Sequence, residues 1–180
     1  IDADEARAIE ALLAFRGLVV RDVMTPRTVM ATLSADMIVA EISPTDPALR
    51  FSRIPIYQNG SDDLIGFVRK VEIYVEAAAG RAQTRLVELN HDFLNVLENK
   101  PLPDLMQKMV SERVSISLVV NEYGDPLGIT TMEDLVETML GMEIVDESDN
   151  HIDMQERARE LWKLRARASG HELNIEEEQS

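Results

Sequence analysis

Apolar and polar positions fall into the same order twice along this chain. The first pass runs Ile54-Pro55-Ile56-Tyr57, a turn at Asn59-Gly60, Leu64-Ile65-Gly66-Phe67-Val68, and then Glu72-Ile73-Tyr74-Val75, closing at Gly80. The second runs Ile116-Ser117-Leu118-Val119-Val120, a turn at Tyr123-Gly124, Leu127-Gly128-Ile129-Thr130, and then Asp134-Leu135-Val136, closing at Gly141. Short β-branched runs bounded by turn residues predict strands, and a periodic stretch ending at glycine predicts a helix with its stop. Each pass is thus two strands and a helix, repeated after about 60 residues.

Each unit also has a leader. In the first, the pattern predicts a strand over residues 29–33 and a helix over 36–42. In the second it predicts a strand over 93–97 and a helix over 103–110, opened by Leu102-Pro103-Asp104 with proline in the first turn. The expected plan is strand, helix, strand, strand, helix, twice over. Such a unit cannot bury its own sheet face, so the two copies are expected to pack on each other. The division that follows is a helix or linker over 1–20, a first unit over 21–84, a second over 85–145, and a remainder over 146–180. In that remainder, Asp146-Glu147-Ser148-Asp149 reads as a solvated acidic linker, lacking the alternating ligands and central glycine of an EF-hand. Met154, Ala158, Leu161 and Trp162 form the stripe of a docking helix, and the tail from Glu176 to Ser180 should fray.

The chemistry concentrates at Gly128-Ile129-Thr130-Thr131-Met132-Glu133-Asp134, where a strand passes into a helix. Thr131 and Asp134 both project near the helix N-terminus, whose unpaired N–H groups and positive dipole end suit a phosphate. A carboxylate one turn in can accept bonds from a ribose diol. The same spacing is that of an ordinary capping box, so the motif by itself leaves both readings open.

Charge narrows the partners. The 180 residues include 33 acids and 18 bases, a net charge of −15, and a field of that sign repels nucleic acid. Cysteine is absent, which removes disulfides and thiolate metal sites, and His91, His151 and His171 are too dispersed for a ligand motif. No apolar run approaches the ~18 residues of a membrane helix and nothing resembles a signal peptide. The chain starts at Ile1 without an initiator methionine, the expectation being a fragment of a longer parent. No nucleophile elbow, Walker loop or dinucleotide fingerprint is present, which argues against an enzyme.

Four motifs in order resemble a known family. Val23-Met24-Thr25-Pro26-Arg27, Phe51-Ser52-Arg53-Ile54-Pro55-Ile56-Tyr57, Asn121-Glu122-Tyr123-Gly124 and the Gly128 to Asp134 segment are similar to the tandem CBS (Bateman) module of the CorC/CNNM, or hemolysin-like, membrane proteins, over about residues 5 to 150. The resemblance implies an α/β (α+β) fold of two CBS repeats, each a small mixed sheet with flanking helices, packed pseudo-symmetrically. It implies a regulatory module that binds an adenine nucleotide (ATP, ADP or AMP, with or without magnesium) on the cytoplasmic face of a bacterial inner membrane. There it would form a homodimer and control an N-terminal transmembrane domain implicated in magnesium or other divalent-cation transport. Many members carry a further C-terminal α/β domain, for which the roughly 30 residues after Asn150 are too few.

Residue by residue, the resemblance places the Thr131 hydroxyl on a phosphate and the Asp134 carboxylate on the ribose. Thr25, held extended by Pro26, would line the adenosine pocket. Phe51, Ser52 and Arg53 would enter the cleft between repeats, with Ser52 and the Arg53 fork on β- and γ-phosphates. The backbone of Ile129 and the side chains of Ile116 and Ser117 would meet the base, although Ile116 reads equally well as core. Any magnesium would be held by the phosphates rather than by side chains. At the positions of Thr131 and Asp134 the first repeat has Arg69 and Glu72, which implies one competent site per chain. Two functions remain in view. In one, the nucleotide shifts a dimer arrangement that is relayed through Leu12, Leu13 and Phe15. In the other, the chain is a dimerisation scaffold with a vestigial pocket.

Overall fold

The computed structural model describes residues 1–141. The acidic linker, the Trp162 stripe and the tail expected beyond them lie outside the described residues. The chain opens with helix α1 (Ala3–Phe15) and a single turn α2 (Val20–Val23), followed by the two-residue strands β1 (Thr25–Pro26) and β2 (Leu33–Ser34). Strands β3 (Arg53–Tyr57) and β4 (Leu64–Arg69) then lead into α3 (Lys70–Ala78). The second repeat follows with β5 (Leu94–Leu97), α4 (Leu102–Glu112), β6 (Ile116–Val120), β7 (Pro126–Thr131) and α5 (Met132–Leu140). The result is a mixed α/β fold with two small sheets, ordered β2-β3-β4 and β1-β7-β6-β5.

The second leader forms as expected, and the first does not. In α4, Leu102, Leu105 and Met109 share one face and are buried together with Leu135 of α5. In the first repeat, the strand expected over 29–33 is instead a 3-10 turn at Arg27–Val29 followed by the short β2. The helix expected over 36–42 shrinks to one 3-10 turn at Val39–Glu41. The cause is competition for backbone groups. Ala35 donates to the Tyr57 carbonyl (2.8 Å), Val39 to Thr84 (3.0 Å) and Ala40 to Ala82 (2.8 Å), while the carbonyls of Ala35 and Met37 accept from Val87 and Leu86. Groups committed to distant partners cannot also close successive i to i−4 bonds.

The two repeats exchange segments across their midline. Strand β1, from the start of the first repeat, pairs antiparallel with β7 of the second, Thr25 opposite Ile129 and Pro26 opposite Gly128. Reciprocally, His91 bridges to Phe67 on β4. The cores follow the exchange. Leu86 is fully buried among Leu33, Ile54, Ile56, Val68 and Ile73, whereas Phe15 and Val20 are buried with Val96, Leu105, Met109, Val119 and Leu135. Residues 15–26 therefore complete the second core and residues 86–91 the first, so the cores interleave across the divisions drawn at 21 and 85.

The helix that follows the second hairpin, α5, ends against α1. Gly141 adopts a left-handed conformation (φ 61°) at the end of α5, where a Cβ would stand 2.4 Å from that of Ala11 in α1. Glycine is required there by both space and conformation. Of the α1 residues expected to relay a signal, Phe15 is buried and Leu12 and Leu13 are exposed. Among the described residues no helix is long and apolar enough to cross a membrane.

Candidate functional site

The strand-to-helix junction at Thr131 is both a cap and a wall. The Asp134 N–H donates to Thr131 Oγ1 (3.3 Å) and the Thr131 N–H donates to Asp134 Oδ2 (3.0 Å), a reciprocal capping box at the start of α5. The same two residues line a cavity of about 380 Å³ together with Ile129, Met132 and Glu133. That volume lies within the ordinary range for small-ligand pockets. Capping engages the Thr131 hydroxyl and one carboxylate oxygen of Asp134.

The opposite wall comes from the first repeat. Arg50 closes a 3-10 turn that begins at Pro47, and the chain then passes through Phe51 and Ser52 into β3, whose Arg53 and Pro55 also face the cavity. Thr25 reaches it because β1 lies on β7, and Met30, Ala31 and Ser115 complete the lining. The cavity therefore lies between repeats, and the segment exchange is what carries Thr25 into it.

Of the nine residues singled out in the sequence, seven line this one cavity: Thr25, Phe51, Ser52, Arg53, Ile129, Thr131 and Asp134. Ile116 and Ser117 do not, being 1% and 0% exposed. The reason is topological. Strand β6 lies between β7 and β5, inside its sheet, and its side chains are covered on both faces. Ser117 sits opposite Thr130, and both hydroxyls are buried without a hydrogen-bond partner among the described residues.

Several lining residues carried no prior signal. Met30 and Ala31 lie in the stretch expected to be strand, and they line the cavity because that stretch is irregular. Arg50 directly precedes Phe51-Ser52-Arg53, so adjacency could have found it. Met132 and Glu133 lie inside the recognised helix start.

Electrostatics distinguishes the two arginines. The ion pairs among the described residues are Arg7 with Asp4, Arg27 with Asp62, Arg81 with Glu76, Arg85 with Asp36 and His91 with Glu72. Neither Arg50 nor Arg53 is in one, although the chain has 33 acids. Two guanidinium groups outside any ion pair among the described residues thus stand on one wall of the cavity, with Glu133 and Asp134 on the other, in a protein of net charge −15.

At the corresponding place in the first repeat the chemistry differs. Arg69 precedes α3 without a side-chain capping bond. Glu72 is engaged by His91, whose Nε2 lies 2.8 and 3.0 Å from the two carboxylate oxygens. The His91 ring stacks on Phe67 at 5.4 Å.

Comparison with known proteins agrees with this arrangement. The family described as CBS domain matches residues 86–141. A UPF0053 protein of Synechocystis is 31% identical over 159 residues, 88% of this chain, and the chain spans only 46% of that relative's length. Among solved structures, a hemolysin-like protein containing a CBS domain from Oenococcus oeni is 30% identical with a TM-score of 0.63, covering 73% of this chain and 96% of that one. The CBS domain of the bacterial CNNM/CorC family Mg2+ transporter in complex with ATP is 25% identical with a TM-score of 0.69, covering 76% and 97%. With its duplicated units and exchanged strands, the chain belongs to the CBS domain family, among the CBS modules of the hemolysin-like CNNM/CorC proteins.

Proposed function

We propose that this chain is a non-catalytic regulatory module that binds one adenine nucleotide in the inter-repeat cavity and controls an attached membrane domain implicated in magnesium or divalent-cation transport. The observation that carries the reading is the pair of arginines without an acidic partner among the described residues, Arg50 and Arg53, facing the start of α5 across one cavity. An anion of nucleotide size accounts for both walls. Its phosphates lie toward the guanidinium groups, Ser52 and Thr131, its ribose bonds to Asp134, and its base rests beside Thr25 and the Ile129 backbone. The solved CNNM/CorC neighbour in complex with ATP supports the ligand class.

Magnesium, when present, is held by the phosphates and offsets their repulsion from Glu133 and Asp134. In the parent the module lies on the cytoplasmic face of a bacterial inner membrane and acts as a homodimer. Nucleotide favours one dimer arrangement by its differential affinity for it, and α5, which starts at the cavity and ends against Ala11, relays the change to α1.

Titration calorimetry with ATP, ADP and AMP, with and without magnesium, tests the reading. We expect saturable binding of one nucleotide per chain. Absence of binding at millimolar nucleotide would leave the chain as a dimerisation scaffold.

A further inference from the structure

Arg53 and Arg69 stand directly opposite each other on β3 and β4. Side chains at paired positions leave a sheet on the same face, with Cβ atoms roughly 5 Å apart, and like charges so placed destabilise the pair. Arg53 faces the cavity, as does Pro55 two residues on, so Arg69 rises from the same face of the sheet, one strand beyond the residues that line the cavity. Arg69 is exposed and is in no ion pair among the described residues.

The acid best placed to neutralise it is Glu72, three residues on in the first turn of α3. Both oxygens of that carboxylate face His91 Nε2, and His91 is itself anchored by stacking on Phe67 and by the backbone bridge to it. The segment exchange thus removes the carboxylate that Arg69 would otherwise use. A repulsive arginine pair persists where an acidic chain could easily have balanced it.

From this we infer that Arg69 reads the terminal phosphate of the bound nucleotide, so that the site selects polyphosphates over monophosphates. The inference rests on the nucleotide reading of the cavity and adds to it. Arg50 holds the phosphate common to all adenine nucleotides and Arg53 the phosphates beyond it. Arg69, one strand further out, reaches only a chain long enough to extend past Arg53. A second anionic group between Arg53 and Arg69 turns their repulsion into two charge-assisted contacts. Glu72 and His91, in this view, pair with each other and so leave Arg69 for the ligand, without touching the ligand themselves.

The test measures ATP and AMP affinities by calorimetry, at fixed excess magnesium, for the wild type, Arg69→Ala and Arg69→Lys. Wild type should prefer ATP. Arg69→Ala should lower ATP affinity about tenfold and AMP affinity less than about twofold, with Arg69→Lys between them. Thermal melts check that the variants fold. If the wild type binds ATP and AMP alike, or if Arg69→Ala weakens both equally or neither, the assignment of Arg69 falls while the nucleotide site stands. If the wild type binds no adenine nucleotide, both fall together.

Discussion

Gly128 passes so close to Thr25 that a Cβ on it would stand 2.2 Å from the Thr25 carbonyl oxygen. Gly66 repeats the relationship in the other half, where a Cβ would stand 2.4 Å from the His91 carbonyl oxygen and 2.0 Å from Asn90 Oδ1. Each glycine is where a segment of one repeat crosses the sheet of the other. At Gly128 the obstruction is all backbone, which cannot rotate away; at Gly66 the Asn90 side chain stands nearest, with the His91 carbonyl behind it. Gly128→Ala should therefore cost about 1–3 kcal/mol of stability, and Gly66→Ala a similar amount. Only Gly128→Ala displaces Thr25, so it alone should also weaken nucleotide binding. Denaturant unfolding and calorimetry on both variants check the pair, and equal effects on binding would contradict the assignment of the cavity.

Asp134 has two tasks that substitution can separate. Asp134→Asn keeps an oxygen for the Thr131 N–H and so should hold the capping box, changing stability by less than about 1 kcal/mol. Losing the charge should nonetheless lower nucleotide affinity about tenfold, equivalent to about 1.4 kcal/mol. Thr131→Ala, which removes the N-cap acceptor, should cost about 1 kcal/mol of stability in addition to any loss of binding. An affinity change below about threefold for Asp134→Asn would remove Asp134 from the ribose.

Ser117 separates resemblance from geometry. Its hydroxyl is buried opposite Thr130, away from the cavity lining, and has no partner among the described residues. Ser117→Ala should leave nucleotide affinity within about twofold of wild type, and its stability should be unchanged or slightly higher, because a buried unsatisfied hydroxyl is lost. A tenfold weaker complex would return Ser117 to the base.

Among the described residues, Glu76 at the end of α3 is an acid whose charged form the fold favours. Hydrogen bonding from Arg81 Nε and Nη2 (2.8 and 2.7 Å) is the main cause that holds its pKa below the ordinary glutamate value. Partial burial opposes the shift, and the Thr84 hydroxyl (3.0 Å) and the Arg81 charge add to it. Since the folded pKa lies below the unfolded one, the stabilisation is present above the unfolded value and is lost as pH falls through the folded value. Glu76→Gln should accordingly lower the melting temperature at pH 7, and the difference from wild type should shrink as pH drops from about 5 to 3. A difference independent of pH would mean that Arg81 contributes nothing through charge.

Much of the fold was legible because its elements are local. Strands β3, β4, β6 and β7, and helices α3, α4 and α5, each follow from a period of apolar residues and a turn or glycine at the end. The first leader was not legible, since residues 29–42 carry apolar patterns whose backbone groups are claimed by Tyr57, Ala82, Thr84, Leu86 and Val87. Those partners are remote in sequence and leave no local trace. For the site, motifs located seven lining residues. They missed Met30 and Ala31, which no pattern marks, and misplaced Ile116 and Ser117, whose strand is interior to its sheet.

By itself the sequence determined the duplicated unit, the capped helix start at Thr131 and Asp134, the acidic field and the replacement of that Thr and Asp by Arg69 and Glu72 in the first repeat. These are properties of residue type and spacing, which act within a few turns of chain. Only the tertiary structure decided that β1 crosses to β7, that His91 takes Glu72, that Arg50 and Arg53 line one cavity, and that Arg69 stands opposite Arg53, none of the three arginines being in an ion pair among the described residues. Those outcomes depend on which distant segments win the exposed backbone and sheet edges, a competition settled when the two cores close over each other's strands.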